Sequence, residues 1–312
     1  RVEILENLMK IMSSQVEELT ILCASEGGKP YIDSKVEIQR AINGIKIAIE
    51  QIGLQEGHEI AMGHTLSSAN RMAYTMKEPI GVVAAISAFN HPFNLAVHQV
   101  IPAIAVGCPV IIRPATQTPM SAIKLVELLK EAGLPEGWAQ AVVCDRQGGE
   151  LLVTSPKTAF FTFIGSGPVG WYLNSKASAG TRSALEHGGV APVIVEPDAD
   201  IEAMIPDLVK GGFYHAGQVC VSVQRIFVHE SIADSVASKI AEKASKLVVG
   251  DQLDPKTEVG PLINHNEVNR VEEWVNDAVA KGGKILVGGK RIGNSCFEPT
   301  VIVNPSDDAI IS

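Results

Sequence analysis

From residue 80 onward the chain alternates short, uninterrupted apolar runs with longer amphipathic stretches, and this alternation restricts the fold more than any other feature. Residues 81–87 (Gly-Val-Val-Ala-Ala-Ile-Ser) carry no polar alternation, the pattern of a strand covered on both faces. Further strands are predicted at 109–113, 141–144 and 159–164, separated by helices at 92–106, 119 to about 133, and 168–178. Thr118 is the expected cap of the second of these helices, with Pro119 at its first position. Strands alternating with helices specify an α/β fold with a doubly wound, Rossmann-like parallel sheet. After Gly188-Gly189 a second α/β pattern begins, with strands at 192–195, 225–228 and 284–287 and helices at 201–214, 231–248 and 264–281. Two domains are therefore expected, 1–188 and 189–312. Residues 1–27 and 34–51 read as N-terminal helices, and 57–76 as a strand hairpin or excursion.

Composition narrows the function classes. The net charge of −9, from 26 basic and 35 acidic residues, leaves no electrostatic footprint for nucleic acid or an anionic membrane. No apolar run reaches transmembrane length; 97–108 is interrupted by Gln99, Pro102 and Gly107. Five cysteines, at 23, 108, 144, 220 and 296, form no C-x-x-C pair. That scatter argues against a disulfide framework or zinc knuckle and for a reducing, cytoplasmic setting, with no metal site expected. The chain opens at Arg1 directly in an amphipathic helix and runs out at Ser312, so a fragment is expected and a removed targeting sequence stays open.

Gly165-Ser-Gly-Pro-Val-Gly170 fits G-x-G-x-x-G between a predicted strand and helix. Such a turn lets the backbone approach a pyrophosphate, with the helix N-terminus supplying unpaired N–H groups. It also serves as a plain strand–helix turn. Glu186, 21 residues beyond Gly165, falls where a Rossmann domain carries its ribose-binding acid.

Cys220 lies in Ala216-Gly-Gln-Val-Cys-Val-Ser222. In isolation a cysteine there is as well explained as a small core hydrophobe. Its company changes the reading. Residues 213–222 resemble the F-x-x-x-G-Q-x-C cysteine box of the aldehyde dehydrogenase superfamily, 184–189 (Ala-Leu-Glu-His-Gly-Gly) its E-L-G-G glutamate box, and 89–93 (Phe-Asn-His-Pro-Phe) its W-N-F-P segment. Residues 297–301 match its E-P-T-V segment, and the glutamate precedes the cysteine by 34 residues. The resemblance spans essentially the whole chain.

The resemblance implies a non-acylating, NAD(P)-dependent enzyme, with 1–188 the cofactor domain and 189–312 part of the catalytic domain. Cys220 is implied as the nucleophile, Asn90 as an oxyanion donor, and Glu186 as general base instead of ribose ligand. Ser87, Phe89, Arg113, Pro114, Thr116, Gly165, Ser166 and Gly170 are implied to meet the cofactor, and His91, Leu95, His98, Val219 and Val221 to line the substrate tunnel. An excursion near 63–77 resembles the family's oligomerisation hairpin, which implies a homodimer or homotetramer when intact.

Several residues depart from the family pattern. Arg113 replaces a usual lysine, and Thr116 stands where NAD-preferring members often carry a glutamate, so NADP should at least be tolerated beside NAD. His91 and His98 replace aromatic tunnel residues, which points to a short, polar or anionic aldehyde. His187 follows the proposed base, where it could bias Glu186. Two other functions compete with aldehyde oxidation: a cysteine hydrolase or thioesterase using Cys220 without redox chemistry, and a non-catalytic protein retaining the fold.

Overall fold

A computed structural model describes residues 1–312. The N-terminal region forms α1 (Val2–Ser14), α2 (Val16–Gly27) and α3 (Tyr31–Ile52). The single helix expected over 1–27 breaks at Gln15, whose N–H bonds to the Met12 carbonyl. The Ser13 and Ser14 hydroxyls donate back to the Met9 and Ile11 carbonyls at 2.7 and 2.8 Å, offering the backbone a local alternative to continued helix. Gly28, at φ +70°, ends α2 in the left-handed cap that glycine adopts without strain. The expected hairpin is present as β1 (Glu59–Ile60) paired antiparallel with β2 (Ala73–Tyr74), the connection between them exposing Leu66 and Met72.

Five strands form the main sheet: β3 (Val82–Ile86), β4 (Val110–Arg113), β5 (Ala139–Ala141), β6 (Thr158–Gly165) and β7 (Arg182–His187). All neighbours are parallel, in the order β5-β4-β3-β6-β7. The connecting helices are α4 (Pro92–Val106), α5 (Met120–Glu131), α6 (Arg146–Thr154) and α7 (Gly167–Lys176). The chain winds outward from β3 to β5, then returns across β3 to β6, which opens a crevice at the carboxyl ends of β3 and β6. Alternate side chains of β3 serve opposite faces: Val83 and Ala85 join the large core with α1 to α5, while Ile86 packs with Phe161, Phe163, Val153 and Leu173 beneath α6 and α7.

Three local expectations needed correction. The sequence prediction places no helix between 144 and 159, where α6 forms; Asp145 caps it by accepting the Gly148 N–H at 2.8 Å. Strand β5 lies two residues upstream of the expected start at 141, held there by Val110–Ala139 register and the Val110 N–H on the Trp138 carbonyl. The cap of α5 is not Thr118, whose hydroxyl instead donates to the Phe89 carbonyl at 3.4 Å. Glu26 of α2 takes that role, accepting from Met120 N and Ser121 N at 2.8 and 2.9 Å.

Beyond β7, β8 (Val193–Val195) pairs parallel with β9 (Ile226–Val228) across α8 (Ile201–Phe213). Helix α9 (Ala233–Ala244) is shorter than the expected 231–248, because the chain turns there to bring Val248 against Glu258 and Val259. Helix α10 (His265–Ala280) follows, then β10 (Lys284–Val287), the small hairpin β11 (Arg291–Ile292) with β12 (Cys296–Phe297), and β13 (Val301–Val303), which pairs antiparallel with β10. No helix is long and apolar enough to cross a membrane.

Because one carboxylate satisfies two otherwise free N–H groups of α5, Glu26→Ala should lower stability by about 1–2 kcal/mol, measured as a shift in urea midpoint. Restoring a cap from within the chain, through Pro119→Ser, should recover part of that loss.

Candidate active site

Asn90 lies in the turn between β3 and α4, two residues before a helix whose first residue, Pro92, has no N–H to satisfy. It is half-buried, and its Oδ1 is buried without a hydrogen-bond partner. The adjacent His91 ring meets the Tyr214 hydroxyl, Nε2 to Oη 3.2 Å, and stands 6.5 Å from the His215 ring. The Asn90 turn is thereby tied to the segment that leads into Cys220.

That segment is an unusual piece of backbone. After α8, His215, Ala216 and Gly217 all have positive φ, at 49°, 55° and 74°. Only the glycine adopts this freely; the other two cost about 1 kcal/mol each and need support from their surroundings. Gln218 supplies it: its side-chain amide donates to the His215 and Pro261 carbonyls at 3.2 and 3.4 Å and accepts from Ile263 N at 2.9 Å. The Ser222 hydroxyl closes the far side on the Gly212 carbonyl. Cys220 itself is exposed between buried Val219 and exposed Val221, so the two valines expected to line one tunnel are in different environments.

Glu186 lies near the end of edge strand β7, exposed, in register with Ile164 of β6. Strand alternation sends its neighbour the other way. His187 packs against the Phe163 and Trp171 rings, at 6.1 and 5.7 Å between centroids, beneath α7. The turn that follows Glu186 runs beside the cysteine loop, where a methyl built on Gly189 would touch the Cys220 carbonyl at 3.6 Å. Leu95 is half-buried and His98 exposed along α4.

Ser87, Phe89, Arg113, Pro114, Thr116, Gly165 and Ser166 all sit at or just past the carboxyl ends of β3, β4 and β6, around the crevice. Two polar atoms there are buried with no protein partner, Ser87 Oγ and Arg113 Nε. With the free N–H groups of α7, they form a donor set that suits the phosphates and ribose of a dinucleotide. Arg113 is partly committed, its Nη2 donating to the Cys144 carbonyl at 3.0 Å and Thr116 Oγ1 at 3.3 Å. Gly170 has a packing role: a methyl there would run into His187 Nε2 and approach Phe163 to 2.9 Å, so glycine lets α7 close onto the sheet.

Sequence reasoning missed Tyr214 and three buried residues behind the Asn90 turn, Lys29, Glu37 and Cys23. An alternating apolar pattern gives no signal for a buried ion pair, because a charged residue on an amphipathic helix reads as its solvated face.

The fold and site are those of a doubly wound α/β protein with an exposed cysteine held between an asparagine turn and the turn after a glutamate strand. The profile of the aldehyde dehydrogenase family matches residues 1–312, and the chain belongs to that family. It is 42% identical over 309 residues to a 3-sulfolactaldehyde dehydrogenase of Priestia aryabhattai, which covers 99% of this chain and 64% of the relative. A lactaldehyde dehydrogenase of Methanocaldococcus jannaschii is 37% identical over 315 residues, covering 99% of this chain and 66% of the relative. Among solved structures, aldehyde dehydrogenase 21 of Physcomitrella patens in complex with the product succinate superposes with TM-score 0.91 at 36% identity, covering 97% of this chain and 63% of that one. A glyceraldehyde-3-phosphate dehydrogenase of M. jannaschii complexed with NADP gives TM-score 0.91 at 37% identity, with coverage of 97% and 66%. The chain thus spans about two thirds or less of the length of these relatives.

Both histidines beside the cysteine loop are held neutral. His215 is fully buried with neither ring nitrogen hydrogen-bonded, and burial, then the Lys29 ammonium, push it well below the ordinary imidazole value. Burial, reinforced by Lys29, likewise lowers His91 to about 4. Between pH 6.5 and about 4 the His91 ring therefore binds a proton in the unfolded chain that it does not bind in the folded one, so its contribution to stability falls as pH falls, by up to about 1.4 kcal/mol per pH unit, and His215 acts in the same direction. Urea midpoints at pH 7 and 4.5 should show this loss. His215→Asn, which tolerates the left-handed backbone, should reduce its slope.

Proposed function

We propose that the chain is the cofactor domain and part of the catalytic domain of an enzyme that oxidises a short, polar or anionic aldehyde to the carboxylic acid. The observation that carries this reading is the placement of the Cys220 loop against the Asn90 turn on one side, through His91 and Tyr214, and the turn after Glu186 on the other. A thiolate at Cys220 adds to the aldehyde carbon, forming a C–S bond and placing negative charge on the former carbonyl oxygen. The Asn90 side-chain amide and the Cys220 N–H stabilise that oxyanion, at about 3–4 kcal/mol per donor. NAD or NADP, when bound, supplies the hydride acceptor. Glu186 takes a proton from the water that cleaves the resulting thioester, releasing the acid and restoring the thiolate.

Membership of the family and the intact asparagine, glutamate and cysteine positions support oxidation over simple hydrolysis. For the substrate, the support is the names of the relatives, which act on 3-sulfolactaldehyde, lactaldehyde and, in Arabidopsis thaliana, succinate semialdehyde, together with His91 and His98 in place of larger aromatics. For the cofactor, it is the NADP complex of one similar structure and the arginine at position 113. The exposed hairpin carrying Leu66, Met72, Tyr74 and Met76 supports self-association as a dimer or tetramer, and five free cysteines fit a cytoplasmic setting.

Aldehyde-dependent NAD(P)H formation by the whole enzyme, with a panel of short aldehydes bearing carboxylate, sulfonate or hydroxyl groups, tests the reading. Cys220→Ser should abolish it. Glu186→Gln should release one equivalent of NAD(P)H per site and then stall. Ester cleavage without any cofactor reduction would instead assign Cys220 to a hydrolase.

A further inference from the structure

The first turn of α4 is held from outside the helix. His91, at its N-cap position, gives no side-chain cap, and Pro92 has no N–H. The first two backbone donors, Phe93 N and Asn94 N, both give their hydrogens to one oxygen of Glu37 on α3, each at 2.9 Å. The other carboxylate oxygen accepts from the Lys29 ammonium and from the Cys23 thiol, the latter at 3.2 Å. Lys29 is fully buried and Glu37 almost so. Burial opposes the Glu37 charge, but the adjacent ammonium and the amide N–H groups outweigh it and keep the carboxyl below its ordinary range.

This arrangement bears on Asn90, which sits two residues ahead of the held turn. The Asn90 Oδ1 has no partner of its own, so no hydrogen bond to that atom aims the amide. The position from which the amide projects is set by the backbone, and that backbone is held at two points: the Glu37 carboxylate behind it and the His91–Tyr214 contact toward the cysteine loop. Asp33, four residues before Glu37, bonds Lys210 of α8 at 2.7 Å, so α3 is anchored to the helix that leads into that loop as well.

We propose that Glu37, neutralised by Lys29, is a positioning residue for the oxyanion-binding amide of Asn90. The proposal rests on the aldehyde-oxidising reading above and adds to it a residue that touches neither substrate nor cofactor. Displacing a charge-stabilising donor by a fraction of an ångström weakens the transition state while leaving the thiol and the cofactor crevice intact.

Paired substitutions avoid stranding a lone buried charge. Glu37→Leu with Lys29→Met removes the acceptor; Glu37→Gln with Lys29→Met removes the charges but keeps a carbonyl oxygen for the two amides. In the whole enzyme, the Leu/Met pair should slow the NAD(P)H burst by about 10- to 100-fold, and the Gln/Met pair should recover most of it. Alkylation of Cys220 by iodoacetamide, which builds no oxyanion, should change less than about twofold in either. In an Asn90→Ala background the Leu/Met pair should cause almost no further loss, as expected of residues that act through one another. Multiplying losses, or a parallel fall in burst and alkylation rates, would overturn the proposal. Amide hydrogen exchange reads the physical step without turnover: protection at Phe93 and Asn94 should fall in the Leu/Met pair and persist in the Gln/Met pair. Unchanged protection would also overturn it. Absence of NAD(P)H formation by the unsubstituted enzyme with every aldehyde would refute the oxidation reading instead, and the exchange experiment would still decide whether Glu37 fixes the turn.

Discussion

The Glu37 carboxylate is the point on which the rest of this structure depends. It is shut away from water, which for an isolated carboxylate is prohibitive, and its charge is tolerable only because four donors converge on two oxygens: two amides, an ammonium and a thiol. Those donors come from α2, the turn after it, and the first turn of α4. A single group thus ties α2, the turn after it and α3 to the first turn of α4. Glu26 repeats the device one helix over, capping α5 from α2. Helices α4 and α5 lie on the same face of the sheet, and neither starts with a side-chain cap of its own. The helical layer that precedes the sheet in sequence supplies both, so the same elements that bury their apolar stripes against the sheet's helices also satisfy the first turns of those helices.

From there the strand order does the rest of the positioning. Reversal between β3 and β6 separates the two crossover directions and leaves their carboxyl ends facing a common crevice. Asn90 follows β3, Arg113 ends β4, and Gly165 ends β6, so residues far apart in sequence meet there because parallel strands all deliver their ends to one edge. Glu186, on the neighbouring β7, arrives at the same edge. Cys220 comes from the other half of the chain, and its loop is held by contacts to both halves: Tyr214 with His91, and Gln218 with the 261–263 segment.

How much of this could be read from the sequence follows from what each element depends on. Helix α4 was legible to the residue, because Pro92 and Gly107 mark its two ends by backbone geometry alone. Strands β3, β4 and β6 were legible because a parallel strand covered on both faces needs a continuous apolar run. Helix α6 was hidden by Gly148-Gly149, and the start of β5 by register with β4, which is a property of the pair. The boxes around Asn90, Glu186 and Cys220 were found as local strings. Glu37, Lys29 and Tyr214 were not, since their significance lies in separations of up to 123 residues that no local pattern records. The His187 ring, next to Glu186 in sequence, lies under α7 because adjacent residues on a strand face opposite ways.

The cysteine loop shows why the local rules fail where they do. A chain choosing its backbone by intrinsic preference would not place His215 and Ala216 in the left-handed region, nor bury an imidazole with both nitrogens unpaired. Both costs fall within the few residues that present Cys220, and both are met by rigid surroundings: Gln218 with its bonds to the 261–263 segment, Ser222 on Gly212, and the packed α8. Neutrality of His91 and His215 follows from the same surroundings: burial disfavours their charged forms, and the nearby Lys29 ammonium adds to it. His91 therefore meets Tyr214 as an uncharged ring, mainly because it is shut away from water. The helix cap behind Asn90 and the hydrogen bond in front of it both fasten that turn to groups held away from bulk water.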